Sequence, residues 1–157
     1  MADSSHSTNR QKSRVINGKH TEVILQIYSD RYLVLVTQLG KVGALIQASI
    51  PPTAPLLDKV SDPEQPNALS FPEPSPAIEQ TPILGRSPSE DLQTLHSLYV
   101  AQIATIIWTE EAKLRSDSRR SVVVGLAFAK QAESQQALER EQFESIMTLV
   151  YDLVNRR

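Results

Sequence analysis

Cysteine is absent from the 157 residues, which excludes disulfide bonds, thiolate catalysis and zinc sites built on thiolates. A chain without cysteine is typical of a reducing compartment. Apolar runs are short as well, and none approaches the roughly 20 residues that a membrane-spanning helix needs. The N-terminal segment is polar and lacks the apolar centre of a secretory signal. These absences predict a protein of the cytoplasm, or of cytoplasm and nucleus, without a membrane partner.

An excess of charge of one sign is also lacking. The chain has 16 basic and 18 acidic residues, a net charge of −2, and the two signs are interspersed. Such a surface produces no field suited to nucleic acid or to an anionic membrane. Aromatic residues make up only 5% of the chain and stand among apolar rather than basic neighbours, which argues against base stacking. The sequence therefore predicts no nucleic-acid partner.

Proline is missing from most of the chain, because all ten prolines fall between Pro51 and Pro88. Proline lacks the backbone donor that a helix interior or a sheet needs. Residues 51–81 are therefore predicted to form a Pro-rich acidic loop, and residues 1–13, polar and without periodicity, a disordered tail. Residues 14–157 form a single domain interrupted by that loop, with about 110 residues to build one core.

Motifs that carry catalysis are not found. Gly40-Lys41 superficially resembles a phosphate-binding loop, but Val follows the lysine where Ser or Thr is required, and a strand follows instead of a helix. His20 and His96 are far apart, and a structural role is favoured for His96. Glu110 and Glu111 are adjacent, so their side chains diverge. The sequence predicts neither enzyme activity nor a metal or cofactor.

Residues 31–43, which read RYLVLVTQLGKVG, hold the most apolar continuous run in the chain. On an extended backbone Tyr32, Val34 and Val36 point one way, whereas Leu33, Leu35 and Leu39 point the other. A strand that is apolar on both faces is covered on both faces. One cover comes from the chain's own helices, and we expect the second to come from another layer or another chain.

The remaining elements follow from periodicity. Residues 21–28 and 44–50 are predicted as strands that make a three-stranded meander with residues 31–39, and residues 121–130 as a further strand with bulky side chains on one face and small ones on the other. Spacings of three and four predict helices over residues 88–112, with Ser87 as N-cap, and over residues 134–154. The predicted fold is α+β: an antiparallel sheet of four to six strands in the order β-β-β-(β)-α-β-α, with two helices packed on it, forming a dimer.

The segment YLVLVTQLGKVGALI closely resembles the signature segment of the proteasome assembly chaperone 3 family. The segments NGKHTEVILQIY, TPILGR and SVVVGLAFAK recur in the family in the same order, so that the resemblance covers about two thirds of the chain. It implies a chaperone that works without cofactor or ATP. Such a chaperone forms a heterodimer with an assembly chaperone 4 type partner, or a homodimer, and binds proteasome α-subunits to promote α-ring assembly.

The chain departs from the family pattern in its longer Pro-rich loop and in residues 113–120, so no family contact residue is transferred individually. Protein-binding residues are instead predicted from the two-faced strand and its turn. They are Gln38, Lys41 and Val42 at the turn, with the loop residues Leu56 and Leu57 as secondary candidates.

A second class of function stays open at this point. Dimerisation modules of the roadblock or longin kind, which serve as scaffolds in trafficking, also combine a sheet with two helices and lack catalytic residues. The partner proteins distinguish the two hypotheses, because α-subunits favour the chaperone and GTPases or coat components favour the scaffold. Three Ser/Thr-Pro dipeptides, at Ser75, Thr81 and Ser87, are also candidate sites of proline-directed phosphorylation.

Overall fold

A computed structural model describes residues 8–57, 63–64, 70–87, 89–114, 119–130 and 136–156. In this part of the chain one mixed sheet has the strand order β1-β2-β3-β6-β4-β5, and two helices pack on it. The predicted α+β class is therefore confirmed. The elements are β1 (Thr8–Ile16), β2 (Lys19–Ile27), β3 (Arg31–Thr37), β4 (Ala44–Ser49), β5 (Glu79–Leu84), α1 (Glu90–Lys113), β6 (Ser121–Ala127) and α2 (Gln136–Val154).

The apolar run of β3 lies in the middle of the sheet. It pairs with β2 in an antiparallel hairpin and with β6 in a parallel register. Val34 and Val36 are fully buried on the side that faces the helices, and they share one face as the alternation of residues 31–37 predicted. The most apolar strand thus occupies the position where both of its edges are hydrogen-bonded.

The predicted three-stranded meander is wrong, because β6 lies between β3 and β4. β6 pairs parallel with β3 and antiparallel with β4, so one of the five strand pairings departs from the antiparallel sheet that was expected. The physical reason lies in β6 itself. Six of its seven residues are buried, so it is more deeply buried than β4, most of whose residues stay partly exposed. An inner place in the sheet therefore suits β6 better.

Gly43 allows the chain to pass over the end of β6 on its way from β3 to β4. A Cβ atom at this position would lie 2.1 Å from the Leu126 carbonyl oxygen and 3.1 Å from the Cβ of Ala127. Real contacts of this kind do not come so close, and a backbone atom cannot rotate away. Only glycine fits where the crossing occurs.

Residues 8–13, predicted as part of the disordered tail, instead form most of β1. The Asn17-Gly18 turn, in which both residues have positive φ, closes a hairpin of β1 with β2. Arg10 donates to the carbonyl oxygen of Leu153 at 2.7 Å, and Lys12 forms an ion pair with Asp152 at 2.7 Å. These partners lie about 140 residues away, and so a local pattern does not show them. Residues 1–7 lie outside the described residues.

Both helices pack on the same face of the sheet, α1 over β4 and β6 and α2 over β1 and β2. Helix α1 begins two residues later than predicted, because the Ser89 side chain, and not that of Ser87, accepts from the Leu92 amide. Between helices and sheet lies the core. Its largest fully buried side chains include Trp108, Tyr99, Leu25, Ile103, Ile106, Leu126, Ile146 and Met147.

The Pro-rich loop is described at residues 51–57, 63–64 and 70–78, and β5 begins within its predicted range. Phe71 packs edge-on against the Tyr151 ring, with the centroids 6.3 Å apart, and Gln102 of α1 donates to the Pro72 carbonyl at 2.8 Å. Residues 70–72 are thus fixed to the helices. None of the described helices combines the length and the apolarity that a bilayer crossing requires.

Candidate protein-binding surface

The face of the sheet turned away from the helices carries a cluster of aliphatic side chains. Strand registers place Ile24 beside Leu35, Leu35 beside Gly125, Gly125 beside Leu45, and Leu45 beside Leu84, in one row across five strands. In the neighbouring row Leu33 lies beside Val123. We call Ile24, Leu33, Leu35, Val42, Leu45 and Leu84 the open-face patch.

Gly125 lies at the centre of this patch. A Cβ built on it would be 2.7 Å from Leu35 Cδ2, 3.0 Å from Leu45 Cδ2 and 3.6 Å from Val42 Cγ1. The absence of a side chain on β6 thus leaves a hollow, and side chains from β3, β4 and the preceding turn converge over it. The surface that results is continuous and apolar.

The patch is partly open to solvent and has a polar rim. Val42 and Leu84 are 51% and 61% exposed, and the other members are half-buried. Around them lie polar side chains of the same face, with Glu22 hydrogen-bonded to Gln11 and Gln26 to the Tyr28 hydroxyl. In the described part of the chain both helices lie on the opposite side of the sheet. An apolar centre with a polar rim is typical of a protein interface.

The predicted turn residues have different surroundings. Gln38 is held inside the chain: its amide donates to Thr21 at 3.1 Å and to Gln142 at 3.2 Å, and accepts from the Ala129 amide at 3.0 Å. Lys41 is exposed at the turn. Val42 joins the open-face patch. Gln38 therefore joins β2, α2 and the segment after β6, whereas Lys41 and Val42 present side chains to solvent.

The predicted loop residues lie elsewhere. Leu56 is partly buried against the core, and Leu57 is 37% exposed. Both follow the end of β4, whereas Lys41 and Val42 precede its start, so the structure does not bring the two groups together. Whether any of these residues contacts a partner stays a prediction. The residues that sequence reasoning missed are Ile24, Leu45, Leu84 and Gly125. The alternation of β2 and the small residues of β6 were the available signals.

A cleft of about 600 Å³ opens at the other end of β3, between the C-terminal ends of the two helices. Both carboxylates of its lining are engaged within the chain: Glu110 pairs with Lys113 at 2.9 Å and Glu111 with Arg120 at 3.5 Å. Burial raises the pKa of Tyr32 to about 12, and the nearby Glu111 adds to the shift. A phenol with such a pKa stays neutral at physiological pH, so it is unsuited to act as a base.

His96 is buried on α1, with its Nδ1 atom 2.9 Å from the Ser87 hydroxyl oxygen. Burial lowers the pKa of the imidazole, and its ring lies 6.1 Å from the Phe128 ring. These contacts fit the structural role predicted for it. Among the described residues there is no group of three or more His, Asp or Glu side chains that could hold a metal ion.

Comparison with known proteins links the chain to one kind of protein. Two curated proteins named proteasome assembly chaperone 3 match a segment of it. The one from Nematostella vectensis is 48% identical over 40 residues, which are 26% of this chain and 30% of that protein. The one from Bos taurus is 46% identical over 39 residues, 25% of this chain and 32% of that protein. The chain thus matches about a third of the length of these relatives. No family model matches.

The fold has a counterpart among solved structures. A chain from the crystal structure of a chaperone complex for yeast 20S proteasome assembly aligns with a TM-score of 0.51 at 13% identity, covering 94% of this chain and 98% of that one. At this identity the similarity concerns the fold alone. The match to the two curated proteins confirms the predicted resemblance to proteasome assembly chaperone 3 over that segment.

Proposed function

We propose that the chain is a proteasome assembly chaperone that pairs through its open-face patch with a second, related chaperone chain. The pair would hold proteasome α-subunits together during early ring assembly. The single observation that carries the proposal is the apolar sheet face opposite the helices, centred on Gly125. The named relatives and the yeast complex supply the context of proteasome assembly.

The size of this face suits the central part of a pairing surface. Six strands spaced by about 4.8 Å, with about six residues each at about 3.3 Å, give a face of roughly 24 Å by 20 Å. That is about 500 Å², whereas a stable interface buries about 800 Å² per partner. The sheet face would thus form the interface centre, and loops at its edges would supply the rest.

The chemistry of the face favours another sheet as the occupant. Leu35, Leu45 and Val42 meet around Gly125 on the face of a sheet, which suits a partner such as a second sheet, because two apolar sheet faces pack with interdigitating side chains. A second copy of this chain, or a related chain with the same fold, presents such a face. A pair of this kind needs no ATP, because it acts by raising the local concentration of the subunits it binds.

Contact with α-subunits would use a different part of the chain. Lys41 projects at the turn between β3 and β4, at one end of the open-face patch, and so stays at the border of a paired sheet. We assign the α-subunit contact to this turn, with Leu57 as a further candidate.

Substitution of Leu35 by Asp tests the pairing. A charge in the centre of a buried apolar interface is strongly unfavourable, so Leu35→Asp should abolish co-purification of a second chaperone chain with the tagged protein. The matched control is Leu98→Asp, since Leu98 is 57% exposed on α1, in the other layer of the molecule. It should retain the partner.

Mass spectrometry of the purified complexes reads out both parts of the proposal. A second small chaperone chain and proteasome α-subunits with the wild type and with Leu98→Asp, but not with Leu35→Asp, would support it. A wild-type protein that is monomeric by light scattering at high concentration and that recovers no second chain and no α-subunit would refute it. Circular dichroism of each variant shows whether the fold is kept.

A further inference from the structure

The chain holds three Ser/Thr-Pro dipeptides, and the structure separates them by accessibility. Ser75 is 8% exposed, and its hydroxyl accepts from the Ala77 amide at 3.2 Å. The Ser87 hydroxyl lies 2.9 Å from Nδ1 of the buried His96. Thr81 is exposed. Of the three hydroxyl groups, that of Thr81 is the one available to an enzyme in the folded chain.

The backbone around Thr81 is also accessible. β5 is an edge strand that pairs with β4 on one side, and in the described part of the chain no strand pairs with its outer side. The outer side of an edge strand is free to pair with an extended segment of another protein. Thr81 and Pro82 are thus presented in an extended conformation on the surface.

Thr81 points to the same side of the sheet as the open-face patch. It pairs with Gln47 of β4, and Gln47 pairs with Val123 beside Leu33. The preceding residue, Gln80, faces the helices, where its amide donates to the Ser97 carbonyl at 2.9 Å. Glu79 lies two residues before Thr81 and therefore on the same face. A negative group added to Thr81 would stand at the border of the patch, next to a carboxylate.

We propose that Thr81 is a phosphorylation site for a proline-directed protein kinase and that a phosphate there prevents pairing through the open-face patch. The second half rests on the proposed function. In the reaction the Thr81 Oγ1 atom forms a bond to the γ-phosphorus of ATP. The bond from that phosphorus to the oxygen bridging to the β-phosphate breaks, ADP leaves, and the hydroxyl proton passes to the catalytic aspartate of the kinase.

The physical effect follows from charge and hydration. A phosphothreonine carries a charge of about −1.5 to −2 at neutral pH and three strong acceptor oxygens. Pairing would remove the water that hydrates these oxygens, which would lie next to the Glu79 carboxylate. The members of the open-face patch are aliphatic, so they offer no cation in place of that water. The unpaired chain is the substrate of the kinase, so phosphorylation would act as a block on assembly before the pair has formed.

The first experiment locates the site. The purified full chain is incubated with ATP and a recombinant proline-directed Ser/Thr kinase, and the phosphopeptides are mapped by mass spectrometry. Phosphate should appear on Thr81 of the wild type, of Ser75→Ala and of Ser87→Ala. It should be lost in Thr81→Val and in Pro82→Ala, which keeps the hydroxyl group but removes the recognised dipeptide. Absence of phosphate from Thr81, or its retention in Pro82→Ala, would overturn the assignment.

The second experiment measures pairing of the phosphorylated and the unmodified chain with the partner recovered by co-purification, using sedimentation velocity. Phosphorylation should raise the Kd about tenfold or more, and Thr81→Val treated with kinase should pair like the unmodified chain. An unchanged Kd after complete phosphorylation would refute the block while leaving the proposed pairing intact. Failure of the unmodified chain to pair at all would instead refute the proposed function, and the block with it.

Discussion

Substitution of Gly125 by Ala should alter binding while leaving the fold nearly unchanged. The added Cβ would lie 2.7 Å from Leu35 Cδ2 and 3.0 Å from Leu45 Cδ2. Both neighbours are ends of flexible side chains, and an ordinary carbon contact needs at least about 3.4 Å. The Leu35 methyl group must therefore move by roughly 0.7 Å to reach such a contact distance.

The effect on stability should be small because two terms oppose each other. An off-rotamer leucine costs about 0.5–1.5 kcal/mol, whereas replacing glycine by alanine in a strand gains about 0.5–1 kcal/mol. The net change in the free energy of unfolding is thus within about 1 kcal/mol. With a slope of about 1–3 kcal/mol per molar urea, the urea midpoint of Gly125→Ala should shift by less than about 1 M.

The effect on pairing should be larger. A paired sheet packs directly on the displaced leucines, and forcing extra volume into a packed centre costs about 1–3 kcal/mol. The Kd for the partner, measured by isothermal titration calorimetry, should therefore rise by a factor of roughly 5 to 150. Pairing would be weakened without loss of the folded chain.

Gly43→Ala provides the contrast, because there the clash is with the backbone oxygen of Leu126, which cannot move without disturbing β6. This variant should lose stability by more than Gly125→Ala in the same urea titration. Two results would refute the reasoning. The first is a Gly125→Ala protein that binds its partner with unchanged affinity, and the second is one that unfolds at a much lower urea concentration than Gly43→Ala.

Two further predictions concern the turn and the buried histidine. Lys41→Glu should reduce capture of α-subunits in pull-down experiments and leave pairing intact. Arg140→Glu, a matched charge reversal at an exposed position of α2 in the other layer of the molecule, should change neither, and full capture by Lys41→Glu would exclude the turn. Burial holds the pKa of His96 below its usual 6.5, so the unfolded chain takes up a proton first as the pH falls. The stability that the neutral imidazole contributes is therefore present above about pH 6.5 and is lost as the pH falls below that value. The urea midpoint should decrease between about pH 7.5 and about pH 5.5, and this decrease should be smaller in His96→Gln than in the wild type.

The parts of the fold that local patterns encode could be predicted from the sequence. The alternation in residues 31–37 gave the two faces of β3, and spacings of three and four gave both helices. The place of β6 between β3 and β4 could not be found this way, because its strand partners lie more than 70 residues earlier in the chain and leave no local periodicity. The same holds for β1, whose basic side chains were predicted to be solvated. In the structure Arg10 donates to a backbone carbonyl of α2, and Lys12 forms an ion pair with a carboxylate of α2.

The candidate surface was predicted in outline and not in detail. Leu33 and Leu35 were expected to share one covered face of β3, without an assignment of which face the helices cover, and the structure places them on the face turned away from the helices. The turn next to them was expected to be exposed throughout, but Gln38 forms three hydrogen bonds within the chain. A glutamine carries the same donors and acceptors in either setting, so its residue type alone does not reveal whether partners are present. The central role of Gly125 needed the registers of three strands at once.

The late position of β6 in the chain has a consequence for how the protein is made. Both of its neighbours, β3 and β4, leave the ribosome long before Ser121 is synthesised. Until then the nascent chain can form two separate hairpins, β2 with β3 and β4 with β5. The edges of β3 and β4 that pair with β6 in the complete sheet then have no hydrogen-bonding partner strand. The sheet therefore becomes continuous only when β6 arrives, and a product that terminates before Ser121 would expose those edges to aggregation.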